Sequence, residues 1–550
     1  MRALRLLSNA LVSGVFFAFL LGLLVADLNI NLVVTPLHLA GLTVYLLPSY
    51  GLLAALLCFF TALAYRFITG KKAPTAALSP SFLSLSLPLL TLLALVVIRE
   101  NYIYFLSFNV PAVQMLMQMQ MAVLFIMAIG GLVLRYQHLH RRRRPLTWPL
   151  FGALVAASLA LAAGLRVNFP QPQPAVPWTT LETKTIDKKV TVVRFDGLNF
   201  NTVLALTNEK KLPNFQWLME RGGWGRLAGF TPSDPVVLNA CFGTGKLPGK
   251  HRRISDVRYR IPTISVSLEV VPRFILFRQL KRFGLLKIEP RDAPLAAKDL
   301  DAIFAACGVA VVHQDRPAVG PDPGKPNPKT DKLFLTLFPN APSETSWIFS
   351  QVRQAFYRDA AAQERALAAK TDAPQLFILG LDGLNTAQTY FTKYSEPGAF
   401  VDLRQDDIQR YGAVIEKYYE FYDGIISAYL ASLKEDELFI VYSSFGSEPL
   451  PFWKRVVEWI LGNAAVSAYH EQAPDGVVFF YGKNVQRGKN VGVLRLIDLA
   501  PTILYDVGLP VGKDMDGVVR GSVFDPEFTG ENPLLTISSY EDVTIKKPAK

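Results

Sequence analysis

Val190-Thr-Val-Val-Arg-Phe-Asp196-Gly197 is a β-branched and aromatic run that stops on a carboxylate, and the pattern recurs as Leu376-Phe-Ile-Leu-Gly-Leu-Asp382-Gly383. A third run, Leu438-Phe-Ile-Val-Tyr-Ser-Ser-Phe-Gly446, ends instead on Ser444-Phe445. Short, continuously apolar runs of this kind read as strands buried on both faces, the pattern of a parallel sheet covered by helices. Residues 309–313 and 477–481 read as further strands, and helices are expected over 214–221, 343–368, 406–433 and 497–507. The expected fold of this part is therefore α/β, with a mostly parallel sheet covered by helices on both faces. In such sheets, loops at the carboxyl ends of the strands form the binding edge. Asp196, Asp382 and Ser444-Phe445 should meet there. Two strand-end carboxylates suit a hard or borderline cation, although the same residues also serve simply to cap loop amides.

Residues 252–301 and 317–332, rich in Pro, Lys and Arg, interrupt this alternation. They predict an insertion over about 252–332 in a domain running from 189 to 528, followed by a polar tail at 529–550.

The first 166 residues are of another kind. Five apolar runs, 10–26, 41–64, 82–98, 110–134 and 150–165, read as crossings of a hydrocarbon core of about 30 Å; at 1.5 Å per residue the 41–64 and 110–134 runs exceed it and the other three lie at its margin. Arg2, Arg5, Arg66, Lys71, Lys72, Arg135 and Arg141 to Arg144 all fall in alternate connections, which places those connections in the cytoplasm. A fifth crossing then delivers everything after residue 166 to the other side. The expected location is a plasma (inner) membrane, multi-pass, with the C-terminal domain in the periplasm. Reading the first span as a cleaved signal peptide fits less well, because no small-x-small site follows it and four spans would remain. Residues 167–188 carry Asn-Phe-Pro-Gln-Pro-Gln-Pro-Ala-Val-Pro-Trp178, a semi-rigid spacer. Gln114, Gln118 and Gln120 in the fourth span read as interhelical hydrogen-bonding groups.

The formal net charge of +12 comes in good part from the cytoplasmic connections, so the expected partners are membrane lipids and not nucleic acid. Three cysteines, Cys58, Cys241 and Cys307, give no disulfide framework, and the domain must rely on its apolar core.

In order along the chain, further motifs join the three strand ends: Lys211-Leu-Pro213-Asn-Phe-Gln-Trp-Leu-Met-Glu-Arg-Gly222, Thr244-Gly-Lys-Leu-Pro-Gly-Lys-His251 and Tyr418-Tyr-Glu-Phe-Tyr-Asp423. Tyr469-His470, Asp498-Leu-Ala-Pro-Thr-Ile-Leu-Tyr-Asp-Val-Gly-Leu-Pro510 and Asp514-Met-Asp-Gly517 complete the set. Together they resemble the alkaline phosphatase superfamily, closest to its type I phosphodiesterase and nucleotide pyrophosphatase branch. The five-span layout is similar to that of lipoteichoic acid synthases and phosphoethanolamine transferases in the same superfamily. That resemblance implies two metal ions, usually zinc, and a covalent intermediate on Thr or Ser. It matches Asp196 to a ligand of the nucleophile-side metal, and Asp382 and His470 to two of three ligands of the other.

Other positions depart from the family. Thr386 stands where a ligating His is expected four residues after Asp382, and Ser444-Phe445 replaces an Asp-His pair. The nucleophile position falls at or near Pro235; Asp234-Pro235 reads as a helix cap, leaving Ser233 as the candidate nucleophile if the loop is shifted. Cys241 reads as a core residue. His251 and His313 lie away from the expected ligand positions, and only His470 occupies one.

The leading expectation is a membrane-anchored pseudoenzyme with a binding or assembly role in the cell envelope and no cofactor. The alternative is an active phosphodiesterase or lipid-headgroup phosphotransferase that uses Ser233 and a single zinc or manganese on Asp196, Asp382 and His470. A third reading makes the region around 252–282 a scaffold surface for envelope proteins.

Overall fold

The computed structural model describes all residues except 1, 71–78, 107–110, 141–146, 169–176, 183–185, 230–232, 263–265, 272–276, 292–294, 315–326, 342–344, 402, 435, 461, 471–473 and 547–550. Lys71, Lys72, Arg141 to Arg144 and most of the Pro-rich spacer lie outside the described residues. The chain forms two compact units: residues 1–174 with 252–294, and residues 175–251 with 295–550. The expected insertion at 252–332 is thus divided, its first part belonging with the apolar helices.

The helical unit contains α1 (Arg2–Leu28), α2 (Pro36–Leu46), α3 (Leu52–Thr69), α4 (Pro80–Leu106), α5 (Pro111–Leu139) and α6 (Thr147–Val167). A π-helical turn, Leu47–Gly51, joins α2 to α3 into one long rod. Three segments are long and apolar enough to cross a membrane: Leu4–Leu28, Pro36–Thr69 and Gln114–Gln137. Among the described residues, the apolar stretches Ser84–Arg99 and Val155–Val167 are shorter.

Polar side chains fix how these helices meet. Arg166 at the end of α6 is buried and donates to the carbonyls of Ala26 (2.7 Å) and Asn29 (2.9 Å), with Asp27 3.4 Å away. Gln120 of α5 donates to Asp27, as the interhelical reading of the glutamines anticipates. At the other end of α1, the Asn9 side chain accepts from the Ser79 amide (2.7 Å), and Ser13 lies 3.1 Å from Ser86 of α4. The Arg135 guanidinium of α5 stands 4.6 Å over the Tyr65 ring of α3.

Residues 252–294 form a three-stranded sheet of Val257–Ile261, Val266–Leu268 and Lys287–Pro290, with Val257–Ile261 in the middle. It is fastened to the turn after α1. The Asn29 side chain bonds the Glu269 amide (2.6 Å), the Val270 amide (2.9 Å) and the Val270 carbonyl (2.9 Å), and Asn31 donates to the Arg252 carbonyl (3.1 Å).

The second unit is built on a seven-stranded sheet. In chain order its strands are β1 (Lys189–Phe195), β2 (Gly223–Ala228), β3 (Val311–Gln314), β4 (Leu376–Leu381), β5 (Glu437–Ser443), β6 (Gly476–Tyr481) and β7 (Lys489–Arg495). Their spatial order is β7-β2-β6-β5-β1-β4-β3. Only β6 runs antiparallel to its neighbours; the other pairs are parallel. β1, β4 and β5 are buried along essentially their whole length, as expected of strands covered on both faces.

Four helices around this sheet matter for the site: α7 (Pro213–Arg221), α8 (Pro235–Thr244), α9 (Trp347–Lys370) and α10 (Gly383–Ser395); a fifth, α11 (Val414–Leu430), packs beside them. The helix expected over 406–433 is broken at Gly412-Ala413 into Gln405–Tyr411 and α11. A single core joins α9, α10 and α11 to the strands, with Phe356, Tyr418, Phe421 and Tyr422 among its largest members.

The Arg166–Asp27 pair supplies a test. Arg166→Met strands a buried carboxylate and is expected to cost about 3–5 kcal/mol, whereas Arg166→Met with Asp27→Leu recovers most of it. Thermal unfolding of the full chain in detergent measures both.

Candidate functional site

The edge anticipated from the sequence exists. β1 lies between β4 and β5, with Phe195 opposite Leu381 and Arg194 opposite Tyr442. The Asp196 amide donates to the Leu381 carbonyl (2.9 Å), so Asp196 and Asp382 leave adjacent strands at one level. Ser444-Phe445 leaves β5 on the other side of β1.

Asp196 is buried, and its carboxylate is paired with the Arg194 guanidinium at 2.9 Å. Asp196 directly follows β1 and its amide continues the pairing with β4, so it shares a face with Arg194 two residues earlier, and the arginine stem is long enough to fold alongside it. The same guanidinium donates to Asn239 of α8, which fixes its plane. A permanent cation thus meets the carboxylate that the resemblance assigns to a metal.

Asp234 is the cap of α8. Its Oδ1 accepts from the amides of Val236 (3.0 Å) and Val237 (3.3 Å), with Pro235 as the first helical residue. The free amides that an anion would use at this helix start are therefore engaged by the protein's own carboxylate. Ser233 is buried immediately before this cap, and 230–232 lie outside the described residues.

Phe445 is buried, and its ring packs on the His470 imidazole with centroids 5.1 Å apart. The apolar ring at the position of the expected ligand therefore contacts the matched histidine. Ser443 locks this turn, accepting from the Leu198 amide (3.1 Å) and donating to the Phe445 carbonyl (2.9 Å). The loop after β1 is held by Gln388, which donates to the Gly197 carbonyl (2.8 Å), and by the Tyr419 hydroxyl, which accepts from the Asn199 amide (3.0 Å). Gly197 has φ +103°, and a Cβ there would meet Gln388 at 2.5 Å. Any side chain would strain this loop.

Asp382 begins α10, and Thr386 sits one turn along it. Behind Asp382 lies a residue the sequence reading missed. Asp359 of α9 is fully buried, and its Oδ2 accepts from the hydroxyls of Tyr418 (2.9 Å) and Tyr422 (2.8 Å) and from the Gly383 amide (3.1 Å). Burial, followed by the negative charge of Asp382, pushes this carboxyl up to about 8, so it is mostly protonated at neutral pH. The signal was present in the sequence: Asp359 falls in phase with the apolar stripe of Val352, Ala355 and Phe356 on α9.

Among the described residues, no three His, Cys, Asp or Glu side chains come together in a group that could hold a metal ion. Arg194 on Asp196 and Phe445 against His470 do not fit the two-metal centre that the resemblance implies. Cys241 is buried 3.3 Å from His251 Nε2, and burial, then the charge of Asp516, drives its thiol well upward, which suits a core residue. His313 pairs with Asp301 at the end of β3.

The other motifs do structural work. Asp423 caps α7 through the amides of Asn214 (3.0 Å) and Phe215 (2.9 Å). Asp516 takes the Leu247 amide (2.8 Å) at the turn leading to His251. Asp498 joins Arg520 (2.7 Å), Arg495 (2.9 Å) and the Val518 amide (3.0 Å).

No family model and no curated protein matches the sequence. Among solved structures, the chain is similar to murine ectonucleotide pyrophosphatase/phosphodiesterase 5, in an inactive form in complex with AMP. The identity there is 12%, over 59% of this chain and 96% of that one, with a TM-score of 0.34. It is also similar to the phosphonate monoester hydrolase of Silicibacter pomeroyi, at 15% identity over 63% of this chain and 78% of that one, with a TM-score of 0.32.

Asp359 predicts a pH effect. Its carboxyl is raised in the folded state, so its contribution is complete below the unfolded value of 3.8 and is lost as pH rises toward about 8. Asp359→Asn keeps an acceptor for the three donors and cannot ionise. Its stability relative to the parent should improve from pH 5 to pH 8, by at most about 1.4 kcal/mol per pH unit. Urea unfolding at both pH values reads the difference.

Proposed function

We propose that the protein is a membrane-anchored member of the alkaline phosphatase superfamily whose extracytoplasmic domain has exchanged metal-dependent hydrolysis for a binding or assembly role in the cell envelope. The observation that carries this reading is the Arg194–Asp196 ion pair at 2.9 Å. A carboxylate buried at a strand end needs a positive partner, and a tethered guanidinium supplies it without a metal. Asp234 on the α8 amides supports the same conclusion on the anion side. The motifs that cap helices and brace loops are intact, whereas those that would bind metal are replaced by Thr386, Ser444 and Phe445.

Five crossings with the N-terminus in the cytoplasm account for the contacts inside the helical unit. They bring the ends of the first and fifth spans to one side, as Arg166 meets Ala26 and Asn29. They also bring the starts of the first and third together, as Asn9 meets Ser79, and the ends of the second and fourth, as Arg135 meets Tyr65. The side assignment itself comes from the Lys and Arg distribution. Membrane lipids and envelope proteins are the proposed partners.

The full chain, purified with zinc or manganese in the buffer, is expected to retain neither ion stoichiometrically and to leave bis-p-nitrophenyl phosphate intact. Stoichiometric metal together with hydrolysis abolished by Asp196→Ala and by Ser233→Ala would establish the active alternative. A second measurement isolates Arg194. Installing Thr386→His, Ser444→Asp and Phe445→His together should not confer tight zinc binding while Arg194 remains, and adding Arg194→Ala should. Zinc content by mass spectrometry decides between them.

A further inference from the structure

The segment Leu280-Lys-Arg-Phe-Gly-Leu-Leu-Lys-Ile288 is the end of a short helix, Phe277–Arg282, turning into the strand Lys287–Pro290. Gly284, at φ +68°, ends the helix: its amide bonds the Lys281 carbonyl (3.1 Å) and the Leu285 amide bonds the Leu280 carbonyl (3.0 Å). This is a Schellman closure, which holds the cap residue Phe283 in a fixed place. Leu280 and Leu286 are buried beneath the turn. Phe283 is 71% exposed, and Leu285 and Ile288 are exposed beside it. Lys281, Arg282 and Lys287 are exposed on the same nine-residue tip, which contains no acidic residue.

The tip is tied to an apolar helix within its own unit. The Tyr45 hydroxyl donates to the Leu285 carbonyl at 3.1 Å. Tyr45 belongs to Pro36–Thr69, one of the segments long and apolar enough to cross a membrane, and its neighbour Val44 is 67% exposed. A tyrosine bridging an apolar helix and a polar backbone group is placed as such residues are at a membrane–water boundary. An apolar tip ringed by cations at that level matches the headgroup layer, where apolar side chains enter the acyl boundary and Lys or Arg meets phosphate.

We propose that residues 280–288 form a lipid-contact tip. Phe283, Leu285 and Ile288 enter the interfacial layer of the bilayer crossed by Pro36–Thr69, and Lys281, Arg282 and Lys287 hold the phosphates of anionic lipids. This rests on reading Pro36–Thr69 as a membrane span. It is independent of whether the strand-end site is catalytic.

The test uses the full chain in nanodiscs, with an environment-sensitive dye on Phe283→Cys and, separately, on Val44→Cys; the native cysteines are buried. Lipids spin-labelled near the headgroup should quench the dye at 283 more strongly than lipids labelled deep in the chain. Adding phosphatidylglycerol to phosphatidylcholine should increase that quenching, and Lys281→Glu with Arg282→Glu and Lys287→Glu should remove most of the increase. A dye at 283 that stays water-like while the dye at 44 is quenched overturns the tip. If neither dye is quenched, the membrane span itself falls.

Discussion

A carboxylate buried at the end of a central strand must be met by positive charge, and in this protein Arg194 meets it. Arg194 lies in β1 and Asp196 directly follows its last residue, so the end of one strand positions both partners. Arginine stays charged throughout the accessible pH range, and its planar fork also engages Asn239. A metal ion entering here would have to displace a cation that is covalently attached and already oriented. Removing Arg194 alone would leave a buried charge uncompensated, which is why the substitution is tolerable only with a replacement cation.

The same logic runs through the domain. Its buried carboxylates are spent on backbone amides, hydroxyls and guanidinium groups. Asp234 closes the start of α8, Asp423 the start of α7, and Asp498 gathers Arg495, Arg520 and an amide. Asp359 takes the remaining option: burial, and then the charge of Asp382, favour its protonated form despite the two tyrosine hydroxyls and the amide that donate to it. Residue types that could serve catalysis are here the fastenings of the fold.

Much of that fold was legible. β1, β4 and β5 announce themselves as continuous apolar runs because both of their faces are buried. β2 and β7 were not seen. Gly223-Trp-Gly-Arg-Leu-Ala228 alternates with glycine, and Lys489-Asn-Val-Gly-Val-Leu-Arg495 is a largely exposed edge strand whose pattern is polar. α10 was missed although Leu384, Ala387, Phe391 and Tyr394 form a buried stripe at helical spacing, because that stripe is narrow and set among Asn, Thr, Gln and Lys. At the site, the strand-end positions followed from periodicity, because a strand's last residue is determined by where its pattern stops. Arg194 and Asp359 did not, since each depends on where a side chain points or on a helix far away in sequence. Asp359 left the clearer trace, a lone acid in an apolar stripe.

In the helical unit, polar side chains tie together helices that are far apart in sequence. Arg166 on the Ala26 and Asn29 carbonyls, Asn9 on the Ser79 amide and Arg135 over the Tyr65 ring all join helix ends, where backbone groups are free to accept or donate. The small sheet within 252–294 adds a further constraint, because it bonds the Asn29 and Asn31 side chains in the turn after α1 while Arg166 holds the Asn29 carbonyl, so one turn fastens both the last helix of the unit and its sheet.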